Sequence, residues 1–302
     1  MKKQLVIVLI LSLLLCAMPA LAEGWTCSNC GKEAEGNFCP WCGQKHVIEV
    51  TCPACGATYD AELGYAFCQA CGAALPMAVP AEPEDGEIAD TWDQILMSID
   101  DGTARQRYAV GAWKLLDLGE FGTIRMQLAG FELDERVDGQ GKAATTWIAL
   151  DLLETKVRFN PNHSEGQIGT GTVGGWGSSE LRRWLGEQVE PVIPGGLRER
   201  LLTVIKTQSA YTAEGDGETQ TTADALWIPS RAEVIGNDAL YYGLFRNNQN
   251  GLRARTRRGF KTWWWLRSAN KVNYADSIAD DGGDDYDSVG NISGGVALGF
   301  CL

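Results

Sequence analysis

The chain has 302 residues, 45% of them hydrophobic and 22% charged, the usage of a folded protein with one large domain or two smaller ones. This composition excludes collagen-like, coiled-coil and wholly disordered chains, and a single long apolar run excludes a polytopic membrane protein. A net charge of −13 argues against a nucleic-acid binder, which needs a basic face, and two histidines, His46 and His163, leave little for histidine catalysis.

The N-terminus reads as an export signal over residues 1–22. Lys2 and Lys3 form a positive start, Leu5 to Ala17 an apolar run, and Ala20-Leu21-Ala22 a small-residue cleavage site before Glu23. The run is short for a membrane span, so no integral membrane segment is expected after cleavage; an uncleaved anchor is the competing reading.

Residues 23–75 hold a cysteine framework. Of ten cysteines, eight form Cys-x-x-Cys pairs: Cys27/Cys30, Cys39/Cys42, Cys52/Cys55 and Cys68/Cys71. Each pair is followed by glycine (Gly31, Gly43, Gly56 and Gly72). Two thiolates at this spacing converge on one ion when the chain makes a tight knuckle, and glycine permits the positive φ that the knuckle needs. Two facing knuckles make a closed four-sulfur site. The expectation is two structural zinc ions, one on Cys27, Cys30, Cys39 and Cys42 and one on Cys52, Cys55, Cys68 and Cys71. The unit resembles tandem bacterial zinc ribbons. Disulfides are the rival, because exported cysteine-rich segments are often stapled. In either case the link supplies folding energy that so small a core lacks.

Residues 76–90 read as an extended acidic linker, with Pro76, Pro80 and Pro83 among Glu82, Glu84, Asp85, Glu87 and Asp90 and no base. A main domain, 91–302, follows. Thr91 caps a short amphipathic helix to Ile99, and strands are expected near 107–111, 113–118, 122–131 and 145–151. Ser178 or Ser179 caps a helix over Glu180–Leu185, and a second helix is expected from Gly195 to about Val204. Leu226–Pro229 and Trp263–Arg267 read as buried strands, 268–295 as long loops, and Val296–Phe300 as a closing strand. Few helices, many short strands and long loops make the fold class α+β.

Four blocks carry a family resemblance: Trp176-Gly177-Ser178-Ser179-Glu180-Leu181-Arg182-Arg183-Trp184-Leu185, Leu226-Trp227-Ile228-Pro229-Ser230-Arg231-Ala232-Glu233-Val234, Trp264-Trp265-Leu266-Arg267-Ser268, and Gly294-Gly295-Val296-Ala297-Leu298-Gly299-Phe300. Over roughly residues 105–302 the chain resembles an uncharacterised bacterial family, a domain of unknown function found behind signal peptides and zinc ribbons. Ala297-Leu298 stand where that family more often ends in valine-arginine-proline. Such domains look similar to the C-type-lectin-like fold of formylglycine-generating enzymes and related binding proteins. The resemblance therefore implies a C-type-lectin-like domain, and fold alone does not fix function.

The candidate ligand residues are Trp263, Arg267, Tyr274, Asp276, Asp284, Asp285 and Tyr286. Trp263-Trp264-Trp265 suit either sugar stacking or the core, and strand alternation sets Trp264 against its two neighbours. Arg267 suits an anion contact or a buried carboxylate pair. The stretch 270–291 has the composition of a ligand loop. Asp280, Asp281, Asp284, Asp285 and Asp287 suggest calcium or a solvated loop, without the spacing of the twelve-residue calcium loop. Arg246, Arg253, Arg255, Arg257, Arg258 and Lys261 suit an anionic partner or neutralisation of nearby acids. There is no phosphate loop, nucleotide fingerprint or serine elbow, and Cys301 is the only cysteine of the main domain.

The expected function is non-catalytic recognition of a glycan, wall polymer or protein outside the cytoplasm. The competing class is a secreted hydrolase acting on polysaccharide or wall polymer, which would need a defined acid and base around a pocket.

Overall fold

The computed structural model describes residues 25–34, 41–42, 49–52, 54–60, 70, 85–164, 167–211, 217–236, 240–245 and 250–302. The expected signal, His46, Cys39, Cys68, Cys71 and Arg246 lie outside them. Among the described residues no helix is long and apolar enough to cross a membrane. The chain divides into two compact units, Met1–Ala81 and Glu82–Leu302.

The first unit repeats one construction. Strand β1 (Trp25–Thr26) pairs with β2 (Glu33–Ala34), and β3 (Glu49–Thr51) pairs with β4 (Thr58–Asp60). In each hairpin a cysteine follows the first strand. Its N–H donates across the turn, Cys27 to the Lys32 carbonyl (2.9 Å) and Cys52 to the Ala57 carbonyl (2.8 Å). Its own carbonyl then accepts from the glycine after the second cysteine, Gly31 at φ 68° and Gly56 at φ 75°. Only glycine takes that conformation without strain, which is why the spacing is Cys-x-x-Cys-Gly.

The second unit is mixed α+β, mostly short strands in small sheets with few helices. Its elements run α1 (Trp92–Asp100), α2 (Ala104–Arg107), β5 (Trp113–Asp117), β6 (Thr123–Phe131), β7 (Thr145–Ala149), α3 (Glu180–Trp184), α4 (Gly195–Arg198), β8 (Val204–Tyr211) and β9 (Gly217–Asp224). They continue with β10 (Leu226–Trp227), α5 (Arg231–Val234), α6 (Asn250–Arg253), β11 (Arg255–Arg257), β12 (Phe260–Thr262), β13 (Trp264–Lys271), β14 (Tyr274–Ile278), β15 (Asp284–Ser288) and β16 (Gly299–Cys301). The largest sheet is antiparallel in the order β10-β16-β7-β6-β5, so the last strand is inserted between β10 and β7. A three-stranded sheet β13-β14-β15 and the hairpins β8-β9 and β11-β12 complete the frame.

One apolar core joins these parts. Trp147, Trp176, Trp227, Trp264 and Trp265 are fully enclosed in it. Helix α1 begins with the expected Thr91 cap, a full capping box with Gln94, and buries Ile95 and Leu96. Close approach fixes two glycines. A Cβ on Gly299 would lie 2.4 Å from the Trp227 ring, and one on Gly294 only 2.0 Å from Trp265 Nε1.

Several expected elements are corrected. Residues 107–111 form no strand: α2 ends at Arg107, Tyr108 turns back to donate to Asp90, and Gly111 turns at φ 97°. The helix from Gly195 stops at Arg198, because Val204 and Ile205 join the β8–β9 ladder. Residues 268–295 are not long loops, since they contain the end of β13 and all of β14 and β15. Their Asn, Asp and Ser disfavour strands, but pairing to the apolar start of β13 overrides that preference. Residues 85–90 belong to the second unit rather than to a linker: Ile88 N–H donates to the Trp113 carbonyl at 2.8 Å.

Candidate functional site

The first unit presents a candidate metal centre. Cys27, Cys30 and Cys42 bring their sulfurs within 4.8 Å of one another, and the Cys27 and Cys42 sulfurs are 3.5 Å apart. That is far beyond a disulfide bond and close to the about 3.8 Å between sulfurs around a tetrahedral zinc with about 2.3 Å bonds. Cys27 is buried while Cys30 and Cys42 are exposed, so the donor set closes from one side. The chemistry of three converging thiols fits a soft or borderline metal ion. Cys52 and Cys55 stand on the second knuckle in the same backbone arrangement. Among the described residues the cysteine trio is the only convergent group of metal-ligating side chains.

The predicted ligand residues of the second unit fall into two places. Trp263 and Arg267 belong to the core side. Trp263 is half-buried against Trp265, centroids 4.8 Å apart, and both Trp264 and Trp265 are enclosed because β13 is covered on both faces. Arg267 is fully buried, its guanidinium bound to Glu233 through two hydrogen bonds of 2.6 Å. This is the carboxylate-pair alternative for that arginine.

The other residues lie on the outer sheet. Asp276 is paired across the ladder with Tyr286, Tyr274 with Ser288, and Ile278 with Asp284. Alternation therefore puts Tyr274, Asp276, Asp284 and Tyr286 on one face and Asp285, opposite Ser277, on the other. Tyr274 and Tyr286 are 39% and 45% exposed, and their rings meet edge to face at 87° with centroids 5.6 Å apart. Asp284 forms an ion pair with Arg231. Asp276 accepts from Asn270 Nδ2 at 2.8 Å. Burial raises the Asp276 carboxyl to about 6, against the Asn270 hydrogen bond and the Arg231 charge, with Asp284 adding to the rise. The turn between β13 and β14 is pinned from outside. Asn273 accepts from His163 N–H at 2.7 Å, and the Val272 carbonyl accepts from Thr172 N–H at 2.7 Å. The platform is thus built on strands with a fixed end.

The acidic residues around it are locally occupied. Asp281 accepts from Gly283 N–H, and Asp287 from Ser288 N–H and Asn291 Nδ2. In the basic stretch, Arg253 and Arg255 are buried and Arg258 pairs with Glu154. Burial lowers Arg255 to about 10.

Two features were not anticipated from sequence. One is a buried charge centre. Lys206 Nζ donates to Asp134 (2.6 Å) and to the Tyr242 hydroxyl (2.6 Å), reaches Glu233 at 3.4 Å, and sits 3.3 Å from the Trp227 ring centroid. Burial opposes the Glu233 carboxylate, but the charges of Arg267 and Lys206 outweigh it and hold the group at about 2. Burial pushes the Tyr242 hydroxyl and the Cys301 thiol well up, with nearby carboxylates adding to both. The signal for Lys206 was the alternation Val204, Lys206, Gln208, Ala210 on the inward face of β8. The second feature is a cleft of about 560 Å³ lined by Ser179, Arg182, Arg183, Glu187, Glu190 and Asp224. Arg182 is committed to Asp224 at 2.5 Å and to the Ala223 carbonyl at 3.0 Å. None of the predicted ligand residues lines it.

Residues 152–301 match the model of a family described as a domain of unknown function, DUF6273. That match begins just after β7, runs through β16, and holds the charge centre's Lys206, Glu233 and Arg267 together with the whole tyrosine platform. It leaves out β5, β6 and β7, although β16 pairs directly with β7. No curated protein and no solved structure matches the chain.

Proposed function

We propose that this protein is an exported, non-catalytic binding protein whose outer β14–β15 face recognises a glycan or wall polymer. The observation that carries the reading is the Tyr274–Tyr286 pair: two half-exposed rings at right angles, on strands, with Asp284 on the same face. Aromatic faces take the apolar faces of sugars and similar groups, and a neighbouring exposed carboxylate accepts hydroxyl hydrogen bonds. Rigid strands keep the ordering cost of binding low.

In this reading residues 1–22 are the export signal. The first unit carries two structural zinc ions, one on Cys27, Cys30, Cys39 and Cys42 and one on Cys52, Cys55, Cys68 and Cys71. The second unit is a C-type-lectin-like domain. The repeated knuckle backbone supports the zinc assignment, and the mixture of short strands around one core supports the domain assignment. The test is sedimentation of the full chain with insoluble cell-wall polymer. Wild type should co-sediment and Tyr286→Ala should stay in solution; equal retention of both would end the assignment of this face.

A specific observation favours a second reading, a secreted hydrolase. Burial raises Asp276 to about 6 while Asp284 on the same face pairs with Arg231, and two carboxyl groups held in different surroundings are what glycoside hydrolysis uses. Release of reducing ends from wall polymer, lost in Asp276→Asn, would establish it in place of the binding reading.

A further inference from the structure

Lys271 and Tyr274 face each other across the two-residue turn that joins β13 to β14. The Lys271 side chain folds back over the tyrosine platform. Its Nζ lies 4.8 Å from the Tyr286 ring centroid and 5.9 Å from that of Tyr274. The two rings therefore form a right-angled corner, and one ammonium group sits against both walls. Among the described residues Lys271 makes no ion pair, so the rings are its partners. Asp276, directly across the ladder from Tyr286, is buried beneath this face and bound to Asn270, and Asp284, two pairs further along, is the exposed carboxylate on the same face.

A cation over an aromatic face within about 6 Å of its centre is held by the ring quadrupole, and paired aromatic walls are the way proteins recognise alkylated ammonium groups. The corner already holds such a charge, borrowed from the chain itself. Lys271 is an exposed residue on a flexible four-carbon stem, and its strongly hydrated ammonium gains little by leaving water. An alkylated ammonium is less hydrated and offers apolar methyl groups to the rings. A hard metal ion would need a shell of oxygens instead of ring faces.

We propose that the Tyr274–Tyr286 corner is a binding site for alkylammonium groups, with Lys271 as the internal occupant that the ligand displaces. This rests on the reading of this face as a polymer-binding surface and names the chemical group it selects: a choline-like substituent carried by the polymer. The occupied corner also makes a direct prediction about Lys271. It competes with the ligand, so its removal strengthens binding, the reverse of what a contacting lysine would do.

The experiment titrates the full chain with choline chloride and follows the ring resonances of Tyr274 and Tyr286. In parallel, 3,3-dimethylbutan-1-ol serves as the neutral probe of the same shape. Saturable shifts with choline and weaker ones with the alcohol are expected. Lys271→Met should tighten choline binding about two- to fivefold, the equivalent of one exposed cation–π contact. Tyr286→Ala and Tyr286→Leu, with unchanged thermal midpoints, should each lose saturable binding. Equal response to choline and the alcohol, no saturable response, or weaker binding by Lys271→Met would overturn the proposal. The broader reading is tested separately by wall sedimentation. Wall binding without choline selectivity removes this inference and leaves that reading standing; choline selectivity without wall binding does the opposite.

Discussion

Arg267 and Glu233 meet in two parallel hydrogen bonds, Nη1 to Oε2 and Nη2 to Oε1, each 2.6 Å long, with both side chains closed off from solvent. Glu233 also accepts from Ser230 N–H at 2.8 Å, which completes a capping box at the start of α5, and it lies 3.4 Å from Lys206. One carboxylate thus ties β13, α5 and β8 together. Replacing it with Gln leaves two buried cations facing Asp134 alone. Breaking a buried pair from one side costs about 3–5 kcal/mol. Glu233→Gln should lower unfolding stability by that amount in urea melts, with the m-value unchanged.

The same residue sets an acid limit. Its carboxyl stands at about 2 in the folded chain against 4.5 as the ordinary value. A depressed acid contributes stability that is complete above the unfolded value and is lost as pH falls through the folded one. The contribution is roughly 3 kcal/mol, present above about pH 4.5 and lost by about pH 2. Guanidinium melts across that window should show stability falling with pH in the wild type. The slope for Glu233→Gln should be shallower by the equivalent of one proton, and an unchanged slope would remove Glu233 as its source.

How much of this was legible in the sequence depends on the range of the interaction. Local chemistry reads well. Thr91 and Ser179 cap the helices they announce, and Gly31 and Gly56 take the positive φ that their knuckles need. Strands carrying their own apolar pattern, such as Trp113–Asp117 and Thr123–Phe131, are found where expected. Tyr274–Ile278 and Asp284–Ser288 failed to declare themselves, because their strand character comes from pairing with β13 and not from composition. The tyrosine corner depends on that register: a slip of one residue would send Tyr286 to the opposite face. Lys206 was hidden for another reason. A lysine is read as surface by default, and its partners Asp134, Glu233 and Tyr242 are 72, 27 and 36 positions away.

Packing around Trp265 allows no added methyl at Gly294. A Cβ there would stand 2.0 Å from Trp265 Nε1, which donates to the Val157 carbonyl at 2.9 Å. Gly294→Ala must push the ring and strain that bond. Overpacking of this kind costs about 1–3 kcal/mol. The substitution should lower the thermal midpoint and weaken protection of the Trp265 indole N–H in hydrogen exchange, while Gly251→Ala, which meets open space, should leave both unchanged.

Metal removal should separate the two units. Thiols that hold a metal are shielded from alkylation, and withdrawing the ion removes the folding energy of so small a module. With chelator, Cys27, Cys30 and Cys42 should become reactive together and release zinc, while the melting transition of the second unit stays in place. Cys301 is enclosed in the core, so it should react only once that second unit unfolds. Reactivity of Cys27 and Cys42 that is indifferent to chelator would exclude a metal on this trio.

Asp276, on the β14–β15 face, has its carboxyl raised toward neutral pH. Its surroundings are Asn270, Arg231 and Asp284, and burial lifts it to about 6 from an ordinary 3.8. A raised acid works against folding once it ionises: the cost is absent below the unfolded value and complete above the folded one. Stability should therefore fall as pH rises from about 4 to about 6, by about 1–3 kcal/mol. Asp276→Asn keeps an oxygen for the Asn270 amide and carries no charge. It should be more stable than wild type at pH 8 and indistinguishable from it at pH 4. Carbon-13 shifts of the Asp276 carboxyl give the midpoint directly, and a value near 4 would mean that water reaches the carboxylate and that this face holds no poised acid.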